Sequence, residues 1–348
     1  MRIASVGRAF PGHYYGQEEL IQAFERVWRG RLHNPERMAE IHRNTRVEGR
    51  HLALPIEAYE KLDSFTQAND AFIESAVPLA ELALGDALDR ARLGARDIDA
   101  IFSVSVTGIA APSIEARLAN RMGLRADVKR VPIFGLGCVA GTAGVARAAD
   151  YVKAYPDQVA VLVSVELCSL TFQGGDFSIP NVVASGLFGD GAAAAVVAGA
   201  GRGTPGPRVV ASRSVLYRDT ERVMGWDVTS EGFRIVLSGQ VPEVVRRHLR
   251  GDVDRFLGDH ALRLADIDRF VCHPGGPKVL EAFGDALDQP REAFALTWES
   301  LRELGNLSSA SVLMVLRDTL ELCDPPGTRG LMISMGPGFC TELVLLEW

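Results

Sequence analysis

The chain has 348 residues, 47% of them apolar, and a formal charge of −7. It is longer than one typical domain, can bury a large core, and carries no basic footprint for nucleic acid. No apolar run approaches the ~20 residues of a membrane span, so stable membrane insertion is not expected. The opening MRIASVGRAFPGHYY has too short an apolar stretch for a signal peptide. Five cysteines, at 138, 168, 272, 323 and 340, form no CxxC pair, and the seven histidines show no clustered metal-ligand spacing. Reduced thiols in a cytoplasmic compartment, without a metal, are the expectation.

In chain order, 2–6 reads as a short strand and 17–43 as helix-rich. Apolar residues recur three and four apart over 72–92, which predicts a helix. The runs 97–106 and 158–165 read as buried strands. Between them, Leu136-Gly137-Cys138 opens the small-residue run VAGTAGVARAAD, a predicted helix closing on Asp150. The Gly/Pro-rich stretch 199–207 separates a strand at 192–197 from another at 208–214. It divides the chain into halves 1–203 and 204–348. In the second half, 269–273 reads as a strand, and LSSASVLMVLRD after Leu304-Gly305-Asn306 reads as a helix closing on Asp318. Alternating strands, loops and helices predict an α/β architecture.

The two halves echo each other. Gly137-Cys138 returns as Gly305-Asn306 at an offset of 168 (306 − 138 = 168). Asp97-Ile98-Asp99 returns as Asp266-Ile267-Asp268 at 169 (266 − 97 = 169). More loosely, Gly189-Asp190-Gly191 precedes one apolar run and Gly336-Pro337-Gly338 another. Three ordered echoes predict a duplicated fold whose halves each aim a helix start at one site, one supplying a thiol and the other an amide.

A thiol at a helix start meets unpaired N–H groups and the positive end of the macrodipole, which lower its pKa below the ~8.5 of a free cysteine. Cys138 is so placed, although a buried cysteine among glycines and alanines is also a common packing residue. His273 ends a predicted strand before Pro274-Gly275-Gly276 and reads as a base or as a satisfied core residue. The other histidines, His13, His33, His42, His51, His248 and His260, read as solvated surface. Asn306 reads as an amide donor or as a helix N-cap. Together the three supply a nucleophile, a base and a neutral donor. Hydrolytic proteases use asparagine to orient the imidazole. Alternatively, histidine and asparagine both donate to one thioester oxygen and stabilise an enolate as CO2 leaves. No acidic residue adjoins these motifs, so paired-carboxylate chemistry is not expected.

The motifs GCVAGTAGVARAADYV (137–152), LFGDGAAA (187–194), HPGGPKVLEA (273–282), GNLSSASVL (305–313) and GPGF (336–339) occur in one order along the chain. In this the sequence resembles the type III polyketide synthases, the chalcone synthase-like branch of the thiolase superfamily. The resemblance implies a thiolase-like fold, with two pseudo-symmetric halves in a layered αβαβα arrangement, and a homodimer. It implies iterative decarboxylative condensation of malonyl-CoA onto an acyl-CoA starter, with no cofactor beyond the CoA thioesters. By it, Cys138 holds the starter and growing chain, and His273 and Asn306 polarise the malonyl thioester. Phe188 matches the gatekeeping phenylalanine, while Ile235 replaces a second one, with Phe233 nearby.

The resemblance also places Thr171, Ser308, Trp226 and Ala111 around the cavity, Ala111 reaching that of the partner subunit. Alanine there leaves room for a long apolar starter, whereas Trp226 shrinks the pocket. Arg43, Arg46 and Arg50 have the spacing of a helical face. They read as contacts for CoA phosphates or as a solvated basic face. The expected product is an alkylpyrone or alkylresorcinol from a medium- or long-chain starter. The alternatives are a malonyl-primed tetrahydroxynaphthalene-type synthase and a carrier-protein-dependent 3-ketoacyl synthase of fatty-acid synthesis.

Overall fold

The computed structural model describes residues 1–31 and 34–348; His33 lies outside them. The first half opens with β1 (Arg2–Ala9), β2 (His13–Gly16), α1 (Gln17–Val27), α2 (Pro35–Asn44), β3 (Gly49–Leu52) and α3 (Phe65–Ala91). It continues through β4 (Ala100–Ser105), α4 (Ile114–Met122), β5 (Lys129–Phe134), α5 (Ala140–Ala154), β6 (Val159–Leu167), α6 (Ile179–Leu187) and β7 (Asp190–Ala198). The second half opens with β8 (Arg208–Leu216), β9 (Met224–Thr229), β10 (Gly232–Leu237), α7 (Val241–Gly258) and β11 (Arg269–Cys272). Then follow α8 (Pro277–Leu287), α9 (Ala295–Leu304), α10 (Ser311–Leu320), β12 (Arg329–Gly336) and β13 (Cys340–Glu347). Helix α3 starts earlier than the periodicity predicts because Ser64 caps it, its Oγ accepting from the Gln67 amide at 3.3 Å.

Nine strands form one sheet in the order β11-β12-β13-β8-β1-β7-β6-β4-β5. Both halves follow one plan. The first strand (β1 or β8) pairs antiparallel with the last (β7 or β13), and the last pairs antiparallel with β6 or β12. That strand in turn runs parallel to β4 or β11. β5 extends the first half's edge, and the halves join where Arg2 lies opposite Arg208.

The Asp-Ile-Asp echo is a repeated piece of architecture. Asp97 and Asp266 each close a 3₁₀ turn, accepting from the amides of Gly94 at 2.8 Å and Arg263 at 2.7 Å. Asp99 and Asp268 each accept from the first residue of the neighbouring parallel strand, Val159 and Arg329, both at 2.8 Å. These aspartates set the register of β4 on β6 and of β11 on β12.

Helix α3 covers one outer face, with Phe72, Ala76 and Ala83 against Val161, Val163 and Ala194. α7 and α8 cover the other, with Val245, Leu249 and Phe283 against Leu331, Ile333 and Leu345. α5 and α10 share the central core, which gives the expected αβαβα layering. Small residues in α5 follow from that central place. A Cβ on Gly144 would sit 2.5 Å from Leu162 Cδ1, and one on Gly141 would collide with the Ser309 carbonyl oxygen. Overpacking of this kind costs about 1–3 kcal/mol. The Cys138/Asn306 echo is less regular than its sequence offset. α5 begins at 140 and α10 at 311, an offset of 171 (311 − 140 = 171). Cys138 therefore lies within the 3₁₀ turn that precedes its helix, whereas Asn306 lies just before the corresponding turn, Ser308–Ala310. Among the described residues no helix is long and apolar enough to cross a membrane.

Candidate active site

After β5, Gly135 (φ 94°) and Gly137 (φ 54°) take left-handed conformations that turn the chain into the cysteine. Cys138 is 6% exposed, and its Sγ lies 3.9 Å from Ser308 Oγ. The Gly336-Pro337-Gly338 turn of the other half packs directly on it. A Cβ on Gly336 would sit 3.2 Å from Cys138 Cβ, and one on Gly137 2.8 Å from Pro337 Cγ. The helix-start argument predicted a lowered thiol pKa. The structure reverses that expectation: burial pushes the Cys138 thiol up to about 12, outweighing the lowering by Ser308. A single 3₁₀ turn inside the protein gives less help to an anion than lost hydration takes away.

His273 extends β11 by one residue, its amide donating to Ile333 O at 2.9 Å. Pro274 and the left-handed Gly276 (φ 132°) then release the chain into α8. The ring is 3% exposed, and neither ring nitrogen has a protein partner. Burial holds its pKa down to about 3, so the resting imidazole is neutral. Asn306 is fixed by its backbone against the end of α6: its amide donates to Leu187 O at 2.9 Å, and Gly189 donates to Asn306 O at 3.0 Å. This makes Phe188 and Asn306 bridge partners. The Asn306 Oδ1 accepts from the Ser308 amide at 2.8 Å, and Nδ2 reaches Gly275 O at 3.5 Å. Ser308 thus links the cysteine turn to Asn306, which in turn touches the loop carrying His273.

Cys138, Phe188, Trp226, Ile235 and Ser308 line one cavity. A second shares Cys168, Phe188, Trp226 and Ile235 with it, includes Thr171, and extends beneath α1. Ile235, not Phe233, stands at the cavity wall. Phe233 is buried behind it, edge-on to Phe65 with ring centroids 5.3 Å apart. Ala111 is exposed in the loop after β4 and lines neither cavity of its own chain.

The family model for the N-terminal domain of chalcone and stilbene synthases matches residues 1–202, and that for the C-terminal domain matches 208–347. The chain belongs to the chalcone and stilbene synthase family. It is 52% identical, over 99% of its length and 93% of the relative's, to a 1,3,6,8-tetrahydroxynaphthalene synthase of Streptomyces peucetius subsp. caesius. It is 32% identical to a 3,5-dihydroxyphenylacetyl-CoA synthase of Streptomyces toyocaensis, over all of this chain and 90% of that one. The crystal structure of 1,3,6,8-tetrahydroxynaphthalene synthase from Streptomyces coelicolor A3(2), a bacterial type III polyketide synthase, superposes with a TM-score of 0.95. That match is at 34% identity and covers 100% of this chain and 99% of that one. The fold is thiolase-like, and the protein is a type III polyketide synthase. The alternative of a carrier-protein-dependent 3-ketoacyl synthase gives way to that membership.

Several expected residues of this polyketide synthase need correction. The three arginines do not share a helical face. Arg43 lies in the last turn of α2, paired with Glu18 at 2.8 Å. Arg46 lies beyond the helix with φ 60°, 3.4 Å from Glu281 and over the Trp298 ring. Arg50 is on β3 and 1% exposed, with Nη1 and Nη2 on Gln17 and on main-chain carbonyls and Nε without a partner. It is therefore not placed to take a CoA phosphate. His42, read as surface, is fully buried, its Nε2 3.0 Å from Val182 O.

An acidic residue does adjoin the site. Glu166, on β6, accepts from Val106 N at 3.0 Å, from Thr107 Oγ1 at 2.8 Å and from Ser309 Oγ in the turn after Asn306. Burial raises its pKa. A lone charged residue inside the buried run Val159–Leu167, otherwise apolar but for Ser164, was the available signal. Cys168, assigned no role from sequence, lines both cavities.

Proposed function

We propose that this type III polyketide synthase is malonyl-primed and forms a tetrahydroxynaphthalene-type product. The carrying observation is the chamber around Cys138, with Trp226 in its wall, where a large indole limits space for a long acyl tail. Similarity to tetrahydroxynaphthalene synthases over essentially the whole chain supports the same choice. The alkylpyrone or alkylresorcinol product expected from Ala111 becomes the second reading.

In this mechanism half 1–203 supplies the nucleophile and half 204–348 the imidazole and amide. Cys138 attacks the starter thioester, its proton passes to His273, and CoA leaves as the thiol. A further malonyl-CoA then loses CO2 while His273 and Asn306 Nδ2 donate to its thioester oxygen. The enolate carbon attacks the Cys138 thioester and regenerates the thiolate. Phe188, beside Asn306, excludes water from the enolate. The enzyme needs only CoA thioesters and works in the cytoplasm. It acts as a homodimer that carries Ala111 to the partner's cavity.

Incubation with 13C-labelled malonyl-CoA, alone and with a series of acyl-CoAs, tests the reading. A fully labelled pentaketide-derived product supports it, and products carrying the unlabelled acyl group overturn it. Trp226→Gly should open the wall. Each methylene newly buried gains about 0.8 kcal/mol, roughly fourfold. The kcat/KM for decanoyl-CoA should rise by about tenfold or more while the malonyl-only product declines. An unaltered chain-length preference would place the tail elsewhere.

We retain Arg43 and Arg46 as contacts for the CoA phosphates. Their ion pairs lie on the surface, where solvent and salt screen them, so the double alanine variant should keep its stability. Its KM for malonyl-CoA should rise about three- to tenfold at constant kcat. An unchanged KM would leave them a solvated face.

A further inference from the structure

Arg50 is a buried guanidinium that makes no ion pair within 4 Å among the described residues; the buried Asp190 carboxylate acts on it only from farther away. Burial lowers its pKa only to about 10, so it remains charged at neutral pH. A charge held in such a place is compensated by the dipoles its donors meet. Nη2 donates to Ser185 O, and Nη1 to Gly186 O at 2.9 Å and to Gln17 Oε1. These are carbonyls of the last turn of α6, which have no partner within the helix. Neighbouring groups converge on the same turn. Gly186 O also accepts from Gln17 Nε2 at 2.9 Å and Thr45 Oγ1 at 3.2 Å, and His42 Nε2 lies 3.0 Å from Val182 O.

The chain leaving this turn is the gate. Leu187 O accepts from Asn306 N, and Gly189 N donates to Asn306 O. The Arg50 stem lies between the residues flanking that pair. A Cβ on Gly189 would sit 3.1 Å from Arg50 Cβ, and one on Gly305 3.6 Å from Arg50 Cδ. One side chain therefore holds the end of α6 with its fork and spaces the Phe188 and Asn306 segments with its stem.

We propose that Arg50 is a positioning residue that sets the pairing of Phe188 with Asn306, and through it the aim of the Asn306 amide. The planar fork reaches two successive carbonyls at once, which a single ammonium cannot do. This rests on the roles given above to Asn306 and Phe188. Cys138 belongs to a different turn, so loading and decarboxylation should respond differently.

The test uses full-length Arg50→Met and Arg50→Lys. Labelling of Cys138 by a labelled acyl-CoA should stay within twofold of wild type. Malonyl-CoA decarboxylation, measured in the Cys138→Gln background, should lose about 10- to 100-fold in kcat with KM within twofold. Arg50→Lys, which keeps one charged donor, should fall between Arg50→Met and wild type. Loading and decarboxylation falling together with the folded fraction, or neither changing, would overturn the proposal. If Arg50→Met fails to fold, Gln17→Leu removes the Nε2 donor from Gly186 O and the Oε1 that Arg50 meets. It should give the same split at about threefold, and equal loss in both assays would again refute it. Asn306→Ala distinguishes the two failures. Full decarboxylation by that variant would remove the reading of the site itself. Its loss there, with Arg50→Met normal, would remove only the positioning role.

Discussion

Cys138→Ala is expected to abolish chain loading, with polyketide formation falling by a factor on the order of 10³ or more. Cys138→Gln should instead keep malonyl-CoA decarboxylation while losing condensation. The asymmetry follows from the arrangement of the elements. The thiol rides on the turn before α5, whereas the two donors come from the loop after β11 and the segment before α10. A glutamine side chain places an amide carbonyl where the acyl thioester would stand and leaves those donors undisturbed. Release of labelled CO2, read beside covalent loading, measures both halves of the prediction. Polyketide from Cys138→Ala would mean that another group is the nucleophile.

His273→Ala should change the pH at which Cys138 becomes reactive. In the wild type, a neutral imidazole with unpartnered nitrogens is ready to accept the thiol proton. Its folded pKa is depressed to about 3, so it remains available to accept a proton at every pH above that value. Burial puts the resting thiol at about 12 even with His273 in place, so the imidazole acts by taking the proton as the sulfur reacts. At pH 7 that leaves a thiolate fraction of about 10⁻⁵. Alkylation of the variant by iodoacetamide should therefore climb about tenfold per pH unit through pH 10, without a plateau. The wild-type rate should lie above the variant's at every pH, because the neutral His273 takes the proton as the sulfur attacks. Coincident profiles would show that His273 does not activate the thiol.

Much of the fold was legible because the local signals are repeated. The two Asp-Ile-Asp turns announce equivalent strand starts, and the glycines beside Cys138 and Asn306 mark tight turns at one site. Phe188, Trp226, Ile235 and Ser308 do gather around the thiol, an arrangement inferred from resemblance rather than from spacing. What failed depended on the third dimension. Arg43, Arg46 and Arg50 have helical spacing, but the helix stops at Asn44 and the last of them enters a strand. The pKa of Cys138 was misjudged because helix ends are visible in sequence, whereas the depth at which they are buried is not. Glu166 was missed for a related reason. Its hydroxyl and amide partners come from β4, the loop after it and the turn before α10, segments remote in sequence.

The meeting of the halves at the cavity has an evolutionary consequence. Thr171 and Phe188 belong to the stretch before the Gly/Pro-rich boundary, while Trp226, Ile235 and Ser308 follow it. The cavity thus lies where two halves of one strand plan meet, each contributing its own wall. Mutations in the β9–β10 hairpin, which adds no strand to the nine-stranded sheet, reshape one wall without touching the thiol or its turn. Product diversity within such a lineage can accumulate there by small neutral steps.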